Sequence, residues 1–181
     1  MTHDARERAR RSWACSDGPH PTPAATVVDV WLQDNTPRDK PLNFVMFGGI
    51  PVVHRELLKL FGDDNVERDL YIGRVIGARG KELPDWVTAR GRDRLIVRGT
   101  RNAGSRICDV CGRLFYFAQG ANYLYPAPPN GRAIYESSSC GFVVTREIGE
   151  RIADHKWRRM TVEPIPVIDP PPDGLGILPP C

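Results

Sequence analysis

The sequence predicts an α+β fold, a mostly antiparallel sheet with two short helices, for a chain of 181 residues. Three observations lead there. Short runs of β-branched and aromatic residues recur along the chain, with turn-forming residues between them. Only two windows carry apolar residues at helical spacing: Val53, Leu57 and Phe61 in one, Val144, Ile148 and Ile152 in the other. The two windows also echo each other. VVHRELLKLF (52–61) and VVTREIGERI (143–152) share both valines, the Arg and the Glu at an offset of 91, a match that an internal duplication or chance would produce alike.

Residues 1–26 join a basic run (Arg6, Arg8, Arg10, Arg11) to SDGPHPTP, whose prolines cannot continue a helix, so a flexible N-terminal arm is expected. A single domain is expected over 27–163. VVDVWL (27–32) and LNFVMF (42–47) read as a strand pair across the turn QDNTPRDKP. The first helix follows Gly48 and Gly49 and ends at Gly62. LYIGRVIG (70–77) is the next strand. Residues 78–106 carry glycines and arginines around one strand, RLIV. In ICDVCGRLFYF a cysteine turn runs into an aromatic strand, and NYLYP, AIYES and FVVT follow as short strands. Thr145 is placed to cap the second helix, with MTVEPIPV as a closing strand. Residues 164–181 hold seven of the 17 prolines and no basic residue, a Pro-rich tail expected to be extended or disordered.

An apolar fraction of 41% excludes wholesale disorder, and no stretch approaches the roughly 20 apolar residues of a membrane span. The opening MTHDARERARRSWAC has charges where a secretory core would sit, so a soluble, cytoplasmic protein is expected. A net charge of +3 and pI of 8.7 are mild for a dedicated nucleic-acid binder. Five cysteines, only two of them in a Cys-x-x-Cys, do not form a secreted disulfide framework; reduced thiols or a metal fit better.

Cys108-Asp109-Val110-Cys111-Gly112 is the sharpest motif. A tight turn aims two thiolates at one tetrahedral ion, and the glycine permits the curvature; zinc is the natural guest. Such a site needs four ligands, and there is no second Cys-x-x-Cys. Cys15 and His20 lie in one breaker-rich loop and could supply the other pair; Cys140 could be a single third ligand, with Cys181, His3, His54 and His155 behind them. The alternative is a reduced pair packed in a β-turn as small apolar groups. Catalysis by Cys140 with His155 or His54 as base has no support in the spacing. Gly73, Gly77 and Gly80 match neither a dinucleotide fingerprint nor a P-loop.

Between residues 90 and 106 arginines outnumber acids six to one, with Trp86 just before them. Such a stretch suits phosphate and base contacts, an acidic protein surface, or a charged strand edge guarded against aggregation. The aromatic run Phe115, Tyr116, Phe117, Tyr123, Tyr125 and Tyr135 alternates over predicted strands, so one face is core and the other suits a protein interface.

CDVCGR, a proline-containing aromatic spacer, a Ser-rich strand and GFVVTREIGERI closed by MTVEPIPV resemble the double-CxxCG paralogue family of myxobacteria and related immunity proteins of polymorphic toxin systems, over about residues 83 to 167. Two departures stand out. The family's first CxxCG is replaced by Cys15-Ser16-Asp17-Gly18, and its Thr-Glu by Thr145-Arg146-Glu147. The resemblance implies an immunity protein that binds and neutralises a cognate toxin; the residues themselves offer no catalytic constellation, so no enzyme is expected, with zinc as the only candidate cofactor and no membrane partner. Interface candidates are Trp86, Arg92, Arg94, Arg98 and Tyr125. The competing readings are a zinc-knuckle nucleic-acid-binding module and an enzyme using Cys140 or the Cys108/Cys111 pair.

Overall fold

The computed structural model describes residues 14–17, 20–26, 28–32, 42–45, 50–138, 141–155, 157 and 160–169. The α+β expectation holds. Along the chain run β1 (Val30–Trp31), β2 (Leu42–Val45), β3 (Ile50–His54), α1 (Arg55–Phe61), α2 (Asp63–Asp69), β4 (Leu70–Ile76) and β5 (Glu82–Gly91). Then come β6 (Arg94–Leu95), β7 (Arg98–Ile107), β8 (Leu114–Tyr123), β9 (Ile134–Ser137), β10 (Phe142–Val144) and α3 (Arg146–Asp154).

Five strands form one sheet in the order β1-β4-β5-β3-β2, antiparallel except for the β1–β4 pair. Strand alternation buries both its faces. Val53, Val87, Ala89 and Leu70 point toward α1 and α3, where they meet Leu57, Phe61, Ile148 and Ile152. Val52, Val75 and Trp86 point the other way and pack with Val28, Val30 and Ile50. Gly73 is required there: a Cβ would lie 2.4 Å from the Val28 carbonyl oxygen and 2.5 Å from Thr88 Oγ1. Strands β10-β9-β6 form a second sheet and the long β7–β8 hairpin a third.

Several expectations need correction. The first helix is shorter than its stripe, because Val53 belongs to β3: the fully apolar run Ile50–Val53 pairs with β2, and through Val52 and Val53 with β5, and is buried on both faces. His54 caps α1 by accepting the Glu56 amide hydrogen at Nδ1, 3.3 Å. The short helix α2 was not foreseen, since DDNVERD carries no apolar stripe. Thr145 takes the cap position of α3 without a hydroxyl hydrogen bond. The closing strand shrinks to one parallel bridge between Leu124 and Val167, because Pro164 and Pro166 have no amide hydrogen to donate.

The expected arm is not loose where it is described. Cys15, His20 and Pro21 are buried, and the carbonyls of Pro21, Thr22 and Ala25 accept hydrogen bonds from Arg113 and Arg90. Of the Pro-rich tail, residues 170–181 lie outside the described residues, while Pro166 and Ile168 hydrogen-bond to the backbone of Leu124, both at 2.9 Å. Among the described residues, no helix is long and apolar enough to cross a membrane.

Candidate metal centre

CDVCGR forms the turn between β7 and β8. The Cys108 amide donates to the Arg113 carbonyl (2.9 Å) and the Gly112 amide to the Cys108 carbonyl (2.8 Å), with Gly112 at φ +72°. That left-handed step is the curvature the motif demanded of its glycine. A backbone closure of the same span lies in the N-terminal segment. There the Cys15 amide donates to the His20 carbonyl at 2.9 Å, and Ala14 bridges Pro21.

The two turns face each other. Cys15, His20, Cys108 and Cys111 bring one ligand atom each to within 4.8 Å of one another, an arrangement that could hold a metal ion. Cys15 Sγ is 3.7 Å from Cys108 Sγ, and His20 Nε2 is 3.4 Å from Cys111 Sγ. All three cysteines are unbridged; Cys15 and Cys108 are buried and Cys111 is half-buried. The His20 ring stands edge-on to Phe115, with centroids 4.9 Å apart, which fixes its orientation.

The electrostatics suit cation binding. Backbone amides of Cys111 and Val110 aimed at its sulfur hold the Cys108 thiol below its ordinary pKa, against the effect of desolvation. Burial, with the neighbouring Cys108, pushes Cys111 up. Burial and then Arg113 hold His20 down, favouring the neutral imidazole that ligates. Asp17 stands behind the cluster, 3.6 Å from Cys108 Sγ and 3.3 Å from Arg106.

The remaining candidates scatter. His54 caps α1 and His155 stacks on Trp157, away from the four-ligand cluster. Cys140, Cys181 and His3 lie outside the described residues. Trp86, expected at an interface, is instead 5% exposed and stacked edge-on against His54, because the alternation of β5 turns it inward. Arg92 is exposed and lies over the Tyr71 ring. Arg94 donates to the carbonyls of Leu114 and Ser138. Arg98 is buried against Tyr125.

Two buried carboxylates escaped the sequence reading. Glu136 accepts from Arg90 (3.1 Å) and Arg113 (2.8 Å), and Arg94 lies 3.8 Å away. Arg90 and Arg113 also hold the N-terminal segment, so Glu136 braces the turn that carries Cys15 and His20 from behind. Asp69 is the second, at the junction of α2 and β4. For Glu136 the sequence shows only an acid in the strand run AIYES, which does not by itself mark it as buried, and for Asp69 it shows nothing. Comparison with protein-family models, curated proteins and solved structures found no match.

Proposed function

We propose that this chain is a zinc-braced binding protein of the immunity type, which neutralises a cognate bacterial toxin by stoichiometric association. The observation that carries this reading is the convergence of Cys15 and His20 on Cys108 and Cys111. It supplies in space the ligand pair that the sequence lacks as a second CxxCG, and so supports the resemblance at its weakest point. A tetrahedral zinc ion bound by thiolate and imidazole places two sulfurs ~3.8 Å apart and sulfur and nitrogen ~3.6 Å apart. The spacings of 3.7 and 3.4 Å fit those edges. Three thiolates and one imidazole fill four positions and leave none for substrate, the pattern of a structural ion.

The arginines favour a protein partner over a nucleic acid. Arg90, Arg94 and Arg113 are committed to Glu136 and to backbone carbonyls, and Arg132 to Asp93 and Asp69. Within residues 90–106 that commits Arg90 and Arg94, Arg98 is buried, and three exposed arginines, Arg92, Arg101 and Arg106, remain, on a chain whose net charge is only +3. The test is co-purification with the product of the adjacent open reading frame, read by light scattering. A complex of fixed ratio, with loss of the toxin's activity, is expected; no binding by any neighbouring product would refute the reading.

A further inference from the structure

Among the described residues Arg98 is a buried cation without a counter-ion. It opens β7 at 7% exposure, and among the described residues its guanidinium makes neither a hydrogen bond nor an ion pair. The other buried or half-buried arginines, Arg90, Arg94, Arg113 and Arg132, each reach a carboxylate. Arg98 has only rings. Its guanidinium carbon lies 4.4 Å from the Tyr125 centroid and 6.0 Å from that of Tyr116, with Tyr123 next to Tyr125 at 5.9 Å.

Stacking on tyrosine offsets only part of the cost of withdrawing a guanidinium from water. A small part of the residue, 7%, remains exposed. Arg113 Nε and Trp157 Nε1 are both buried and unbonded, whereas no Arg98 nitrogen is. The donors thus lie beside aromatic faces, with the 7% of the residue that stays exposed as their access to an outside acceptor. Burial, with Tyr125 and Tyr116, pushes the Tyr123 pKa up, so its hydroxyl stays protonated and able to donate.

We propose that Arg98, with Tyr116, Tyr123 and Tyr125, forms a slot for a carboxylate, the Asp or Glu side chain of a protein partner. A single guanidinium matches one negative charge and two oxygens in bidentate geometry, whereas a phosphate dianion is better matched by several cations. Arginine framed by tyrosines is also the composition of an interface hot spot. The identity of the carboxylate's bearer rests on the binding-protein reading; the anion preference does not.

Two arms test this. In the first, the Arg98 Nε–H resonance of the intact protein is followed by NMR while sodium acetate, phosphate or chloride is added at constant ionic strength. A saturable shift with acetate, at least threefold tighter than with phosphate and absent with chloride, is expected. No saturable acetate response, or tighter phosphate binding, would overturn the slot. In Arg98→Met, acetate should no longer shift the Tyr123 and Tyr125 ring resonances, which it shifts in the parent protein, and the melting temperature should not fall, since an uncompensated buried charge is removed; a lowered melting temperature would mark Arg98 as structural and count against the proposal. Tyr125→Leu, which leaves the cation in place, should weaken acetate binding at least threefold. In the second arm, Arg98→Met should weaken the neighbouring gene product at least tenfold. Unchanged affinity there overturns the partner assignment while leaving the immunity reading intact, and acetate binding with no protein partner does the reverse.

Discussion

Asp69 shows how much one residue can organise. Its carboxylate is fully buried and accepts hydrogen bonds from the amides of Ala133 (2.7 Å) and Ile134 (3.0 Å) and from Arg68 Nε (2.8 Å). Burial pushes its pKa up, but the bonds from Arg68, Ala133 and Ile134 more than offset this and hold it below the ordinary carboxylate value. A depressed folded-state pKa gives stability that is complete above the unfolded value of about 3.9 and lost as pH falls through the folded one. Asp69→Ala should therefore cost about 3 kcal/mol at neutral pH, read by urea unfolding, with the gap from the parent protein narrowing below about pH 3.9. Glu136→Gln should cost a similar ~3 kcal/mol, because Arg90 and Arg113 would lose their shared charge partner. Neither acid was legible in the sequence, since its role depends on groups distant along the chain. Cys108 and Cys111 were legible because their spacing encodes local geometry, and Cys15 and His20 because a breaker-rich loop could fold back on itself.

Elements were legible where burial imposed a pattern. Strands β4, β9 and β10 and helix α3 follow the expected runs closely, since each presents apolar residues to a core. Strand β7 reads RGTRNAGSRI and was missed: it is held by its backbone ladder with β8, and a ladder leaves no periodic apolar signature. The β3–α1 boundary slipped for the opposite reason, because a strand buried on both faces looks like the start of a helical stripe. Gly73 tests the five-stranded sheet. With the Val28 carbonyl pressed onto it, Gly73→Ala should destabilise by about 1–3 kcal/mol in thermal melts, whereas a change near zero would mean that residues 28–32 do not cross β4 as described.

At the scale of the molecule, the chain presents one succession twice: a turn carrying two of the four clustered Cys/His side chains, an extended segment, a hairpin, a helix, and a segment that returns parallel to the extended one. In the first instance these are Cys15 to His20, β1, β2–β3, α1 and β4; in the second, Cys108 to Cys111, the residues around Leu124, β9–β10, α3 and the Val167 bridge. The echo at offset 91 falls in the hairpin–helix part of this order, and α1 and α3 meet in one core. The ion would tie the two ligand turns together across about 90 residues of chain, the long closure for which a cross-link restricts the unfolded state most. Chelation should therefore lower the melting temperature and raise amide exchange at residues 20–26 while sparing the sheet around Val87. The most direct measurement is elemental analysis of carefully purified protein combined with X-ray absorption at the zinc edge. About one zinc per chain, with three sulfurs and one nitrogen in its inner shell, is the predicted result. Less than about half an equivalent, or an oxygen-dominated shell, would contradict the account.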